Sequence, residues 1–327
     1  MKICVYKPNP LSIKYIKQWE EANNIEVDIV DEPINDDNIS RLEDADGLVL
    51  TVANTLREDI YQKIADYGIK QISITSVGFD KIDLDKADEA GLIITNTPDY
   101  SPESIAEFTV MMILKLLKKD SEIQKDIENK DFRFSENKLG KTLRGKTVGI
   151  YGLGTIGYLV AEGLKPFGVK ILATTPHPKS YAKNIVDFVE FDELLEKSDI
   201  FSIHAALVDE NFHQFDKKAF SKMKDGALVV NTSRGGLIDT AALLDAIETG
   251  KVDGAALDVY ENEEGIYGKD KPDYEDEIFD TLLNHPKVDM YSHIAFFTDT
   301  ALENQIKFAL DSALEVIETG DSKNRVN

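Results

Sequence analysis

One cysteine, one tryptophan and five histidines among 327 residues leave little room for several kinds of chemistry. The single thiol, Cys4, lies in the first apolar run, so no intrachain disulfide or cysteine-built metal site is available. A buried, reduced thiol is expected, and no metal. Basic residues are scarce as well: 37 Lys and Arg stand against 60 Asp and Glu, a formal charge of −23. Such an excess of acid repels nucleic acid and anionic lipid, and no basic patch is evident to offset it. Long hydrophobic runs are missing too. The most apolar segment, FTVMMILKLL (108–117), is broken by Lys115 and falls short of the roughly 20 residues that cross a bilayer. The first ten residues, MKICVYKPNP, lack the apolar core and cleavage site of a signal peptide. A cytoplasmic protein with no nucleic-acid or membrane partner is expected. Internal repeats and low-complexity tracts are also lacking.

What is present is the composition of a globular protein, 42% hydrophobic and 30% charged. The length predicts two domains, each with its own core. Short Val- and Ile-rich runs alternate with helical patterns: KICVY, IEVDIV, DGLVLTV, QISIT and LIITNT precede residue 100. After residue 146 come KTVGIYG, VKILATT, DIFSIHA, ALVVNTS, GAALDVY and VDMYSHI. This alternation predicts an α/β fold of two doubly wound parallel sheets. Between them YSPESIAEFTVMMILKLLKK opens a connector helix, with Ser101 as N-cap, Pro102 at the first helical position and Glu103 at the positive end of the dipole. The tail from Thr298 has helical spacing and is expected to cross back onto the first domain. The acidic stretch 260–280 has weak periodicity, so its middle reads as a solvated loop.

The stretch YGLGTIG (151–157) follows a strand and opens an amphipathic helix, the context that turns a weak glycine pattern into a dinucleotide fingerprint. Gly152 permits the tight turn, Gly154 admits a pyrophosphate close to the backbone, and Gly157 lets helix pack on strand. The N–H groups of Thr155 and Ile156 then face the phosphates. A carboxylate is expected about 20 residues on, to take the adenosine ribose of NAD. It is absent: the strand ends Thr174-Thr175, followed by His177, Lys179 and Ser180. NAD is favoured, with NADP or dual use left open.

Three late segments end strands with reactive side chains. VVNTSRGGLID carries Arg234, ALDVYENE carries Asp258, Glu261 and Glu263, and MYSHIAFF carries His293. Open α/β sheets bind ligands at these carboxyl ends. Taken singly, a histidine among aromatics is ordinarily core, an arginine an ion pair and a glutamate solvated. All three together behind a dinucleotide fingerprint point to oxidoreductase chemistry, in which an oxygen needs an acid/base and a substrate carboxylate needs a cation.

With GLGTIG, NTSRGG, ALDVYENE and SHIAFFT in this order, after TSVGFDKID and TPDYSPESIAEF, the chain resembles the D-isomer-specific 2-hydroxyacid dehydrogenases over nearly its whole length. Its nearest likeness is to the D-lactate and D-2-hydroxyisocaproate branch. The resemblance implies two Rossmann-like domains separated by a cleft: residues 1–101 plus 297–327 for substrate, and 102–296 for the dinucleotide. A homodimer built through the cofactor domain is implied with them. The family's acid/base falls on His293, its partner carboxylate on Glu263 and its substrate arginine on Arg234. A carboxylate beside an imidazole favours the protonated ring, which keeps an acid ready for the carbonyl oxygen. The guanidinium fork suits a planar carboxylate.

The resemblance also assigns the substrate carboxylate to the amides of Val77 and Gly78, and a place near the substrate to Tyr100. Thr51 matches a pocket position that is larger in some pyruvate-specific relatives, and Phe297, beside Phe296, is able to refill that room. Cofactor contacts fall on His204, Ala205, Thr232, Ser233 and Asp258, beside the glycine turn and the two threonines. Ala206 departs from the proline common in relatives, at a place where contacts use backbone. Reversible reduction of a small 2-keto acid, pyruvate first, to the D-2-hydroxy acid is therefore expected. The alternatives are larger or phosphorylated 2-keto acids, or a non-catalytic nucleotide-sensing module. Glu263 argues against a formate dehydrogenase, which pairs its histidine with glutamine.

Overall fold

The computed structural model describes residues 1–51, 53–79, 81–263 and 265–327, which form two compact units: Met1–Ser101 with Phe297–Asn327, and Pro102–Phe296. The first unit holds five strands, β1 (Lys2–Tyr6), β2 (Glu26–Val30), β3 (Gly47–Leu50), β4 (Gln71–Ile74) and β5 (Ile93–Thr95), in the order β2-β1-β3-β4-β5. Every pairing is parallel. The central strands β1, β3 and β4 are buried along most of their length, the mark of a sheet covered on both faces. On one face the helix Asp299–Thr319 lays Leu302, Ile306, Ala309, Leu310 and Ala313, an i, i+4, i+7, i+8, i+11 stripe, against Ile3, Val5 and Val49. The Thr298 hydroxyl caps its first turn, accepting from the Ala301 N–H at 3.2 Å, and left-handed Gly320 (φ 82°) ends it. Cys4 is buried in β1, where burial first, then the nearby Asp28 carboxylate, pushes its thiol up to about 12.

The second unit contains β6 (Thr147–Tyr151), β7 (Lys170–Thr174), β8 (Asp187–Phe188), β9 (Ile200–Ile203), β10 (Ala227–Asn231), β11 (Val252–Leu257) and β12 (Val288–Met290). They form one sheet in the order β12-β11-β10-β9-β6-β7-β8, again with parallel pairings. Alternate residues feed two cores. Ile200, Leu228, Val230 and Ala256 join Met112, Ile113, Val160 and Leu164 from helices Pro102–Lys118 and Thr155–Leu164. Phe201, Val229, Ala255 and Leu257 face Phe215, Leu243 and Leu282 on the other side. The chain runs outward from β6 in one direction to β8, then returns to β9 on its opposite flank. Ligands bind at such a reversal in doubly wound sheets.

Two sequence expectations need correction. The two-residue β8 gives too short a run to register as a strand, and its neighbour β7 supplies its order. The middle of the stretch 260–280 is exposed from Gly268 to Asp273, as expected, but the loop is not wholly solvated, because Ile266 is buried in the core and the hydroxyls of Tyr260 and Tyr274 both donate to Asp276 Oδ2. Asp276 in turn caps the helix Glu277–Asn284. No helix among the described residues is long and apolar enough to cross a membrane.

Candidate active site

The glycine turn leaves β6 at the reversal. Gly152 has φ 92°, donates its N–H to Thr174 O at 2.9 Å, and a Cβ there would fall 2.4 Å from Ala205 N. No side chain fits that approach. A Cβ on Gly157 would meet Gly152 O at 2.3 Å, so helix and strand touch through it. At Gly154, by contrast, a Cβ would meet no heavy atom within 4 Å. The open cradle thus lies over the N-terminus of helix Thr155–Leu164, where the Thr155 and Ile156 amides have no helical acceptor. The residues fit a dinucleotide pyrophosphate.

Around this turn, Thr174 spends its hydroxyl on Val189 O at 2.8 Å. Thr232 shares a hydrogen bond with Thr109 at 2.9 Å, and Ser233 donates to Asn231 Oδ1 at 2.8 Å. His204 follows β9 with Nε2 2.7 Å from Ser202 Oγ, while its buried Nδ1 has no hydrogen-bond partner among the described residues. Burial pushes this imidazole down to about 3, so it is neutral at physiological pH.

Arg234, Glu263 and His293 follow three neighbouring strands. The last residues of β10, β11 and β12, Asn231, Leu257 and Met290, sit in register, so their turns leave the sheet at one level. The ladder continues past them: Asp258 N donates to Asn231 O at 2.9 Å, and His293 N to Asp258 O at 2.7 Å. His293 takes a left-handed backbone (φ 55°) that aims its ring off the strand direction. Its Nδ1 lies 2.7 Å from Glu263 Oε1. Since an ionised carboxylate can only accept, Nδ1 carries the hydrogen, and Nε2 is the nitrogen left for other partners. The second oxygen of Glu263 accepts the Tyr260 N–H at 3.0 Å, which fixes the carboxylate's plane.

The supporting residues were less legible in the sequence. Asn231 takes the Ser233 N–H on its amide oxygen at 3.0 Å and donates to Arg234 O at 2.9 Å, closing the turn that carries the guanidinium. Arg234 itself donates to Ser233 O at 2.9 Å. Asp258, buried at 1% exposure, accepts the Ile294 and Ala295 N–H groups at 2.8 and 2.9 Å, one on each oxygen. Burial pushes its carboxyl above the usual range, against the pull of those two donors. In this structure its carboxylate shapes the turn after His293. Glu261 accepts from Thr240 N on one oxygen at 3.2 Å and pairs with His213 Nε2 at 2.8 Å on the other, tying the loops after β10 and β11 together. The charge and spacing of ALDVYENE flagged Glu261 as one of three acids, but nothing in sequence joined it to His213.

The first unit carries the other expected residues on the carboxyl edge of its own sheet. Thr51 follows β3 and donates to Lys7 O at 2.7 Å. Val77 and Gly78 follow β4 in a loop held by Asn96, which donates to Val77 O at 2.8 Å, and by Ser76, which donates to Gly78 O at 2.7 Å. Their amides meet no backbone acceptor among the described residues. Tyr100, after β5, is buried, and its carbonyl accepts from Asn304 at 2.7 Å. Phe297 is 39% exposed.

Residues 110–295 match the family described as D-isomer specific 2-hydroxyacid dehydrogenase, NAD binding domain. The chain is 37% identical over 333 residues to a D-2-hydroxyacid dehydrogenase (NAD(+)) of Clostridioides difficile, with all of both chains covered. It is 36% identical over 329 residues to a D-lactate/D-glycerate dehydrogenase of Pediococcus acidilactici, covering all of this chain and 99% of the relative. The chain belongs to the D-isomer-specific 2-hydroxyacid dehydrogenases. Among solved structures, a D-lactate dehydrogenase of Treponema pallidum superposes with a TM-score of 0.92 at 32% identity, both chains fully covered. A D-2-hydroxyisocaproate dehydrogenase gives the same TM-score at 31% identity, covering all of this chain and 99% of that one. Both doubly wound sheets and the NAD-binding unit are thus those of this family.

Proposed function

We propose that the protein reduces pyruvate, reversibly, to D-lactate, with His293 as acid/base, Glu263 as its partner and Arg234 as the substrate anchor. The observation that carries this reading is the tie between His293 Nδ1 and Glu263 at 2.7 Å, which orients the ring and supports Nε2 as the nitrogen that exchanges the proton. Bound NADH supplies the hydride to the carbonyl carbon in reduction, and NAD takes it back in oxidation. The glycine turn, the Thr155 and Ile156 amides and the exits of β7, β9, β10 and β11 are suited to hold that cofactor. Arg234 pairs its guanidinium with the substrate carboxylate and leans on the carbonyl oxygen, drawing electron density from the carbon. His293 Nε2 delivers its proton to that oxygen as the alcohol forms and the ring becomes neutral, while Glu263 accepts the Nδ1–H throughout and stabilises the positive ring from which reduction starts.

In the first unit, the unengaged amides of Val77 and Gly78 are suited to the substrate carboxylate. Tyr100, Thr51 and Phe297 are assigned to the substrate's side-chain end. Residues Phe132, Phe134 and Leu139 of the second unit are large, apolar and exposed. A second copy of the chain covers them in a homodimer, and a light-scattering mass of twice 36.5 kDa is expected. The protein acts in the cytoplasm.

The test is the initial rate of NADH oxidation with pyruvate and with phenylpyruvate, coupled to chiral analysis of the product. Rapid formation of D-lactate is expected. A faster reaction with phenylpyruvate overturns the substrate, and L-lactate overturns the site geometry. No turnover with either acid, while NADH still binds, overturns the catalytic assignment.

A further inference from the structure

We propose that this protein accepts NADPH on nearly equal terms with NADH, the turn after β7 acting as the specificity-determining element. The proposal rests on the reading of the second unit as a working cofactor site. Discrimination against a 2′-phosphate in doubly wound folds comes from a carboxylate at the end of the second strand, which binds the ribose hydroxyls and repels a phosphate placed there. Here that strand is β7, and its end is Thr174-Thr175. Thr174 has already committed its hydroxyl to Val189 O. Thr175 is uncharged and partly exposed. It offers a hydroxyl where a carboxylate would exclude the phosphate.

The residues that follow carry basic groups and no carboxylate. From Thr174 to Asn184 there is no acid, although the whole sequence carries 60, and the stretch contains His177, Lys179 and Lys183. All three are exposed. The segment is also fastened beside the cofactor helix. Ala182 is fully buried, Tyr181 meets Tyr158 of helix Thr155–Leu164 edge-on at 5.2 Å, and Lys165 donates to Asn184 O at 2.9 Å. A 2′-phosphate at the β7 exit is therefore followed along the chain by a fastened segment that bears Lys179 and Lys183 and no carboxylate, and exposed charges of this kind act over about 8 Å at physiological ionic strength. The nearest carboxylate by register is Glu190, which leaves the sheet after β8 and precedes the helix Phe191–Lys197. It opposes the phosphate only if its side chain turns back toward Thr175.

Calorimetric titration of the full-length protein with NADH and with NADPH, in the absence of substrate, decides this. The expected dissociation constants differ by less than about tenfold. Thr175→Asp is expected to weaken NADPH by more than about tenfold while keeping NADH, and Lys179→Ala to weaken NADPH alone by a few fold. A wild-type preference for NADH beyond tenfold overturns the proposal, with Glu190 then the group to test. An unchanged ratio in Thr175→Asp overturns it as well. Failure to bind NADH at all overturns the cofactor site itself, which separates that outcome from a failure of specificity alone.

Discussion

Three histidine–carboxylate pairs lie among the described residues of the second unit: His285 meets the exposed Glu248 at 3.3 Å, and the other two are closely alike. His293 meets Glu263 at 2.7 Å and His213 meets Glu261 at 2.8 Å, and both histidines have left-handed backbones, φ 55° and 52°. Each carboxylate uses its other oxygen on a main-chain N–H, from Tyr260 or Thr240. The difference is the nitrogen. His293 is held through Nδ1 and keeps Nε2, the far end of the ring, for a partner. His213 is held through Nε2, so its far end is spent, and its ring stacks on Phe212 at 4.0 Å. A carboxylate beside an imidazole is thus no sign of catalysis by itself. On the function proposed above, what separates an acid/base from a clamp is which end of the ring the fold leaves over, and whether its strand ends in register with the strand that leads to Arg234.

The largest effect is expected where that contrast is broken directly. Asparagine tolerates the left-handed region, so His293→Asn and His213→Asn remove each ring without adding backbone strain. We expect His293→Asn to lower kcat by about 10²–10⁴-fold, the usual loss on removing a general acid, with an unchanged urea midpoint. His213→Asn should lower kcat by less than about tenfold. Steady-state kinetics of the two variants side by side check this, and equal losses would end the distinction drawn between the pairs. Glu263→Gln comes next. It retains the shape and removes the charge that faces the protonated ring, so kcat should fall by roughly tenfold or more while KM for the 2-keto acid changes little. A rise in KM alone would move Glu263 from positioning the acid to binding substrate.

How much of this was readable beforehand follows from what each feature depends on. Strands such as β6 and β10 are continuous apolar runs, and period and composition reveal them. Gly152 was legible because the turn demands a positive φ and a close approach that only glycine permits. Arg234, Glu263 and His293 were legible only as a set, through their shared position after strands. Asn231 was not, since its two hydrogen bonds close a turn whose geometry no spacing encodes. Asp258 is named as a cofactor contact by resemblance alone, and the grip of its two oxygens on the Ile294 and Ala295 amides is what no spacing encodes. Burial of Ile266 within an acidic stretch escaped notice because a single apolar residue in a loop has no period.

Glu261 sharpens the comparison at the level of stability. Glu261→Ala leaves the Thr240 N–H and the His213 ring without their acceptor, at a cost of about 1–3 kcal/mol. A urea midpoint lowered with an unchanged slope would show it, and kcat should follow only weakly. The reverse pattern, full stability with lost turnover, would place Glu261 among the reacting groups instead.

The smallest effect belongs to a histidine that has no carboxylate. Among the described residues the His204 ring hydrogen-bonds the Ser202 hydroxyl, at 2.7 Å, and burial holds its imidazole at about 3, far below the ordinary value of 6.5. Above pH 6.5 the ring is neutral whether the chain is folded or not, so it imposes no pH dependence. Below that, the unfolded chain takes up a proton that the folded chain refuses until about pH 3, and stability falls as pH falls. One such group contributes a slope of at most about 1.4 kcal/mol per pH unit in this window. His204→Gln removes the proton uptake, so between pH 6 and 5 its unfolding free energy should fall less steeply than that of the wild type. Identical slopes would mean that His204 gains a proton in the folded state. The orphaned Nδ1 would then have an acceptor, and the neutral ring after β9 would no longer distinguish this histidine from the three that pair with carboxylates.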